Sequence, residues 1–148
     1  MVGACVARSW RQLGWLLGLC LYPMACLGQV IDGDTLIWNG HRWRLSSIDT
    51  PERGEPFNKS ASKRLAELAS DGLSCHQLPE PLTHGRHVGY CEAGGKDVAM
   101  VLVREGLAAV CHNRSRAKDY AGAEREAMAA KRGIWSRGDY QRKRYCPA

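Results

Sequence analysis

Two short apolar segments joined by Asn39-Gly40 predict a β-hairpin. Residues 35–38 read Thr-Leu-Ile-Trp and residues 42–45 read Arg-Trp-Arg-Leu, and both are rich in residue types that strands favour. Asn-Gly supplies the two residues of positive φ that a two-residue type I′ turn requires. We therefore expect two antiparallel strands that are joined at Asn39 and Gly40.

Three further segments carry apolar residues at helical spacing, and a glycine closes each one. Asp97 stands immediately before the second segment, where its carboxylate can cap the first turn of a helix. Residues 73–78 and 87–92 lie between the helical segments and predict two short strands. This order of strands and helices indicates an α+β fold whose strands close on themselves. The helical segments are 57–70 before Gly72, the segment from 98 to Gly106, and 120–131 before Gly133.

The composition is that of one ordinary folded domain. Of the 148 residues, 45% are hydrophobic and 24% are charged, which excludes collagen-like, coiled-coil and multi-span membrane classes. The 21 Lys and Arg outnumber the 15 Asp and Glu and give a formal net charge of +6. This excess of positive charge favours a polyanionic partner such as nucleic acid.

The N-terminal part has the pattern of a secretory signal peptide. Arg8 and Arg11 are the only charged residues before Asp32, and residues 12–31 form an uncharged stretch. A basic start, a short apolar run and small residues near a cleavage point are typical of such leaders. We therefore expect residues 1–28 to be a signal peptide and the protein to be exported, to the periplasm or out of the cell. An uncleaved membrane anchor is the alternative, because a stretch of this length can just span a bilayer.

The cysteines that follow the leader predict two disulfides. Cys75, Cys91, Cys111 and Cys146 form an even set in an exported chain, and Cys26 joins them only if cleavage is early. Cys75 and Cys91 fall on two neighbouring predicted strands, so antiparallel pairing predicts a bond between them. Cys111 with Cys146 is the remaining pair. The alternative of a zinc site is less favoured, because the chain has no CxxC pair and no standard finger spacing.

Carboxylates gather at two predicted strand ends on either side of the hairpin. Asp32 and Asp34 precede it, Asp49 follows it, and the hairpin should bring Asp34 and Asp49 together. Grouped carboxylates without cysteine are hard oxygen ligands that suit Ca²⁺ or Mg²⁺. Arg44 lies five residues before Asp49, and a metal with an arginine beside carboxylates is what phosphoryl chemistry needs. Each segment alone is more often a turn than a site.

Six motifs occur together in the order and spacing of one known family. They are Val-Ile-Asp-Gly-Asp-Thr-Leu (30–36), Arg-Leu-x-x-Ile-Asp-Thr-Pro-Glu (44–52), His-Gly-Arg (84–86), Leu-Val-Arg-Glu-Gly-Leu-Ala (102–108), Ala-Glu-x-x-Ala (123–127) and Gly-Ile-Trp-Ser (133–136). With these motifs the chain resembles the staphylococcal nuclease-like (thermonuclease) family. The resemblance implies a five-stranded OB-type β-barrel with three helices. It assigns this domain to residues 29–136 and leaves residues 137–148 as a basic tail, which we expect to be a solvated arm.

The resemblance also implies a function and a set of site residues. It implies an exported calcium-dependent nuclease that hydrolyses DNA and RNA with little sequence specificity and leaves 5′-hydroxyl and 3′-phosphate ends. The expected partner is nucleic acid as substrate, with no stable protein partner and a monomeric state. The implied Ca²⁺ ligands are Asp34, Asp49 and the backbone carbonyl of Thr50, with Asp32 nearby; Glu52 orients or deprotonates water, and Arg44 and Arg86 bind the scissile phosphate.

Two histidines depart from the family pattern. His84 stands where the family usually has tyrosine, and His112 lies in the stretch where family members often place tyrosines against the base. We therefore expect both histidines to contact substrate, with weaker base stacking than tyrosine provides. The alternative function is a non-catalytic OB-fold module that binds nucleic acid or a protein. A pure binding module does not need the full set of site residues that this chain keeps.

Overall fold

The structure, a computed structural model, describes residues 28–70, 72–143 and 146. The expected leader therefore lies outside the described residues, apart from Gly28. Within the described ranges, no helix combines the length and the apolar character needed to cross a bilayer.

Most of the strands form one mixed sheet. Its main path follows the order β1-β2-β3-β6-β5, with β3 parallel to β6, the other neighbours antiparallel and β7 paired to β6. A separate short pair joins β4 to β8. The described residues form the strands Gln29–Asp32 (β1), Thr35–Trp38 (β2), His41–Leu45 (β3), Ile48–Asp49 (β4), Ser74–Gln77 (β5), His87–Ala93 (β6), Lys96–Asp97 (β7) and Ala109–Val110 (β8).

The hairpin between β2 and β3 has the predicted turn. Asn39 and Gly40 have φ values of 50° and 77°, and Trp38 pairs with His41 across the turn. The register places Thr35 opposite Arg44, and Leu45 N–H donates to the carbonyl of Asp34 at 2.8 Å. The hairpin therefore brings Arg44 to the end of the sheet that carries Asp34.

The three predicted helices are present, with small differences at their starts. They span Asn58–Ser70 (α1), Val98–Arg104 (α2) and Ala117–Ala129 (α3), and a 3₁₀ turn follows at Gly133–Ser136. Asp97 caps α2 as predicted, because its carboxylate accepts a hydrogen bond from Met100 N–H at 3.1 Å. Helix α1 starts one residue later than predicted, because Phe57 has a φ of 68°.

The helices cover one continuous apolar core. Leu36 and Leu45 of the hairpin pack with Leu65 of α1, Leu102 of α2 and Tyr120 of α3, and all five are essentially inaccessible to solvent. Burial of such side chains is the main source of stability in a domain of this size. The mixed sheet and three helices confirm the predicted α+β class with its OB-type arrangement of strands.

Both predicted disulfides are present in the structure. Cys75 and Cys91 lie directly opposite each other on β5 and β6, as antiparallel pairing requires. Cys111, immediately after β8, is bonded to Cys146 in the C-terminal segment. The second bond links the end of the chain to residues beside the sheet.

The expectation of a solvated C-terminal arm holds for residues 137–139, which are exposed, and is wrong at Arg142, Lys143 and Cys146. Arg142 forms an ion pair with buried Glu124 of α3, and Lys143 forms one with Glu55. Cys146 is fully buried. A run of basic residues is typical of a solvated segment, but the negative partners of Arg142 and Lys143 lie elsewhere in the chain, on α3 and on the loop before α1.

Candidate active site

A polar cleft of about 510 Å³ opens where β2 and β3 meet the loops that follow β3 and β5. It gathers residues from four separate stretches of the chain. The lining residues are Asp32, Asp34, Thr35, Arg44, Leu45, Ser46, Ser47, Ile48, Glu52, Glu80, Thr83, His84, Arg86, Val88, Cys111 and Arg114. The set contains the three residues predicted to be catalytic.

Arg44 joins the two aspartates that were predicted to lie together. Its Nη1 forms a close ion pair with Oδ2 of Asp34, and its Nη2 lies 3.4 Å from Oδ1 of Asp49. Nη2 also donates to the carbonyl of Ile48 at 3.1 Å. The Asp49 side chain is only 1% exposed, so a positive group beside it offsets the cost of burying its charge.

Two hydrogen bonds hold the Asp34 carboxylate in place. Its Oδ1 accepts a hydrogen bond from Thr35 Oγ1 at 3.0 Å, and its Oδ2 accepts one from Thr50 N–H at 3.2 Å. Gly33 allows this close approach, because a Cβ there would lie 2.7 Å from both Thr50 Oγ1 and Ala61 Cβ. The Asp-Gly-Asp segment is therefore more than a turn, since its glycine lets the site pack directly on α1.

Glu52 lies on the loop between β4 and α1, and an amide side chain ties this loop to β1. Asn58 Nδ2 donates to Oδ1 of Asp32 at 2.8 Å and to the carbonyl of Pro51 at 2.8 Å. Asn58 therefore fixes Asp32 relative to the residue before Glu52. Glu52 is itself exposed and lines the cleft, where solvent reaches it.

Arg86 lies at the end of a tight turn, residues 83–86, on the side of the cleft formed by the loop between β5 and β6. Thr83 and Arg86 exchange backbone hydrogen bonds at 3.1 and 3.0 Å, while His84 and Gly85 between them have φ values of 52° and 70°. Arg86 Nε also donates to the carbonyl of Thr83 at 3.1 Å. The turn places His84 and Arg86 together on the cleft lining.

The structure does not place His112 among the cleft residues. Its Nε2 lies 2.9 Å from Oε2 of Glu124, a carboxylate that is 3% exposed. Instead, Arg114 lines the cleft together with Glu80. These two residues were not predicted as site residues, because no motif in the sequence marks either of them.

The donors present fit a hard divalent cation. The carboxylates of Asp34 and Asp49 both contact the Arg44 guanidinium, so they lie close together. Thr50, whose N–H donates to Asp34 Oδ2, lies beside them. Buried oxygen donors of this kind suit Ca²⁺ or Mg²⁺ in preference to softer metals. Among the described residues there is no group of three or more His, Cys, Asp or Glu side chains that could hold a metal. A cation here therefore needs a backbone oxygen or water besides the two carboxylates.

Comparison with known proteins agrees with this geometry. A family model described as staphylococcal nuclease homologue matches residues 42–137. Over 131 positions the chain is 34% identical to Endonuclease YncB of Bacillus subtilis (strain 168), which covers 77% of this chain and 62% of that relative. Over 131 positions it is 33% identical to SPbeta prophage-derived endonuclease YokF of the same strain, covering 77% of this chain and 44% of that relative.

A third relative carries a different kind of name. Over 149 positions the chain is 34% identical to succinoglycan biosynthesis protein ExoI of Rhizobium meliloti (strain 1021), covering 87% of this chain and 78% of that relative. The chain thus spans most of this relative but less than two thirds of either Bacillus relative.

Proposed function

Since the chain belongs to the staphylococcal nuclease homologue family, we propose that it is a calcium-dependent nuclease that hydrolyses DNA and RNA with little sequence preference. One observation carries this proposal. A single cleft lines up Asp34, Arg44, Glu52 and Arg86, with Asp49 buried beside Arg44. Two arginines and several carboxylates in one polar cleft suit the hydrolysis of a phosphate ester better than passive binding of a polyanion, which needs no carboxylates.

Glu52 is the proposed general base. It lies on a loop at the cleft and is exposed, so its carboxylate can hold a water molecule next to a bound phosphodiester. Proton transfer to a positioned carboxylate typically contributes about 10²–10⁴-fold in rate. Glu52 would take the proton from water as the oxygen attacks phosphorus. The P–O5′ bond then breaks, and the leaving O5′ takes a proton from solvent water to become the 5′-hydroxyl.

Arg44 and Arg86 are the proposed phosphate ligands. They come from β3 and from the turn before β6, and both line the cleft. A guanidinium donates two parallel hydrogen bonds to a phosphate and stays charged at any working pH. Their fixed positive charge stabilises the negative charge that builds on the phosphate oxygens during attack.

Asp34 and Asp49, with the backbone carbonyl of Thr50, are the proposed ligands of calcium. When bound, this ion supplies Lewis-acid stabilisation of charge on the phosphate oxygens. The same two carboxylates also hold the positively charged Arg44 guanidinium at the cleft, through Asp34 Oδ2 and Asp49 Oδ1.

We also propose that the protein works outside the cytoplasm as a monomer without a stable protein partner. The two disulfides support an oxidising compartment, such as the periplasm or the medium. Export would use residues 1–28 as a signal peptide, or as a membrane anchor in the alternative form. The proposed products carry 5′-hydroxyl and 3′-phosphate ends.

The decisive experiment compares wild-type protein with the Glu52→Gln variant on plasmid DNA and on RNA, with Ca²⁺ or with a chelator. We expect cleavage of both substrates that requires Ca²⁺ and falls about 10²–10⁴-fold in the variant. Glu126→Gln, at an exposed position of α3, is the matched control and should keep wild-type turnover. Binding of nucleic acid without Ca²⁺-dependent cleavage would contradict the proposal and favour a non-catalytic binding module.

A further inference from the structure

The loop that carries Glu52 is closed on itself by Glu55. Glu52 N–H donates to Oε2 of Glu55 at 2.7 Å, and Glu55 N–H donates to the carbonyl of Glu52 at 2.9 Å. These two bonds make residues 52–55 one tight turn. Any group that holds the Glu55 carboxylate therefore also restrains the backbone of Glu52.

The group that holds Glu55 comes from the other end of the chain. Lys143 Nζ forms an ion pair with Oε1 of Glu55, so the two carboxylate oxygens bind Lys143 and Glu52 N–H separately. The ion pair spans 88 positions of sequence. A contact of this kind restrains a loop only if the segment that carries the lysine is itself fixed.

Two anchors fix the C-terminal segment on either side of Lys143. Arg142 Nη1 donates to the carbonyl of Val110 at 2.7 Å, and its Nη2 lies 2.8 Å from Oε1 of Glu124. Glu124 is buried and also accepts the Val110 N–H at 2.7 Å, so this anchor reaches the sheet. Cys146 is bonded to Cys111 and is fully buried.

The charges at the contact agree with a formed ion pair. The Lys143 ammonium, through its hydrogen bond, lowers the pKa of Glu55 below the usual value of a glutamate. The same hydrogen bond raises the pKa of Lys143. The side chains of Lys143 and Glu55 are 23% and 42% exposed, so solvent screens part of their attraction, and the restraint comes from the geometry of the contact.

We propose that Lys143 and Glu55 are positioning residues that hold the Glu52 loop in its working place at the cleft. This inference rests on the proposed role of Glu52 as the general base. A carboxylate on an exposed loop samples many positions, and an anchored loop keeps it within reach of the reacting water for more of the time. The C-terminal segment is then a functional part of the site, although no residue of 137–143 lines the cleft.

The first test separates turnover from substrate binding. We expect Lys143→Met to lower kcat about tenfold, the size of effect that a modest misplacement of a catalytic group produces, while KM stays within about twofold. Lys143→Arg should restore kcat, because a guanidinium also binds a carboxylate. Lys63→Met is the matched control, since Lys63 pairs with Glu67 on the exposed side of α1, and it should keep wild-type kcat. An unchanged kcat in Lys143→Met would overturn the proposal.

The second test asks whether Lys143 acts through Glu55 or directly by its charge on Glu52. Glu55→Gln keeps an acceptor for Glu52 N–H but loses the ion pair with Lys143. If Lys143 acts through Glu55, the double variant has the same kcat as either single variant. A further loss of kcat in the double variant, equal to the loss in Lys143→Met alone, would overturn the positioning role.

The third test measures how often the loop opens and does not depend on catalysis. Hydrogen exchange of the amides of Glu52 and Glu55 should be about tenfold faster in Lys143→Met, because their mutual hydrogen bonds open more often. Unchanged exchange would overturn the positioning role even if kcat fell. If exchange rises but Glu52→Gln keeps full activity, the loop restraint stands, the proposed function of Glu52 fails, and the positioning role fails with it.

Discussion

The imidazole of His112 lies against the buried carboxylate of Glu124, with 2.9 Å between Nε2 and Oε2. Glu124 also accepts Val110 N–H and pairs with Arg142. His112 therefore belongs to a polar cluster beside β8 that holds the C-terminal segment. His84, the other histidine that was expected to contact substrate, lies on the cleft.

Because the two histidines lie in different places, we expect substitution of His84 to change KM and substitution of His112 to change stability. His84→Tyr should lower KM for single-stranded DNA, because aromatic stacking is worth about 1–3 kcal/mol per base. His112→Ala should leave KM unchanged and lower the free energy of unfolding by about 1 kcal/mol, the usual net value of one hydrogen bond. Steady-state kinetics and urea denaturation measure the two effects. A raised KM in His112→Ala would show that His112 contacts the substrate.

Removal of the Asp34 carboxylate should weaken binding at the proposed calcium site. Asp34→Asn keeps the size of the side chain but removes one of the two carboxylates that approach Arg44. We expect at least about tenfold weaker Ca²⁺ binding by calorimetry, because ligand charge sets affinity at such sites. Asp139→Asn is the control, since Asp139 is exposed and pairs with Arg137. Equal calcium affinity in Asp34→Asn and wild type would place the ion elsewhere.

A side chain at position 33 should lower the stability of the protein. Gly33→Ala would place a Cβ 2.7 Å from Ala61 Cβ and from Thr50 Oγ1, so the turn between β1 and β2 must move away from α1 and from Thr50. We expect a loss of about 1–3 kcal/mol in the free energy of unfolding, typical of overpacking.

The same substitution at Gly122 is the control. Gly122 lies within α3, and a Cβ added there would meet no neighbouring element within 4 Å. Gly122→Ala should therefore raise stability by about 0.5–1 kcal/mol, the helix preference of alanine over glycine. Equal effects of the two variants in thermal denaturation would contradict the packing described for Gly33.

Tyr120 should make the protein sensitive to high pH. Burial, reinforced by the nearby charge of Asp97, raises the pKa of this phenol above its usual value, and its hydroxyl donates to Asp97 Oδ2 at 3.0 Å. The unfolded chain releases the proton near pH 10 while the folded chain keeps it. Stability from this group is therefore complete below about pH 10 and is lost as pH rises further, by up to about 1.4 kcal/mol per unit.

Tyr120→Phe tests this pH dependence. The free energy of unfolding, measured by urea denaturation on both sides of the phenol's usual pKa, should fall less steeply with pH in the variant than in wild type. The difference between the two slopes isolates Tyr120 from the other tyrosines. Parallel slopes would show that Tyr120 ionises in the folded state as it does in the unfolded state.

Local patterns in the sequence determined much of the fold. Asn39-Gly40 forms the predicted turn because its two residues adopt positive φ at little cost, whatever surrounds them. Asp97 caps α2 because the N–H groups it satisfies lie within three residues. The pairing of Cys75 with Cys91 followed from two strands that are neighbours in sequence. Each of these features depends on residues that are close along the chain.

The tertiary structure alone decided which side chains meet across long distances. The sequence around Lys143 gives no sign that its ammonium pairs with Glu55. The sequence around His112 gives no sign that its imidazole contacts Glu124 and does not line the cleft. The same holds for the C-terminal segment, whose basic residues predicted a solvated arm. Opposite charges pair where the fold brings their segments together, so these partners are fixed by the tertiary placement of α3, the loop before α1 and the C-terminal segment, and not by spacing along the chain.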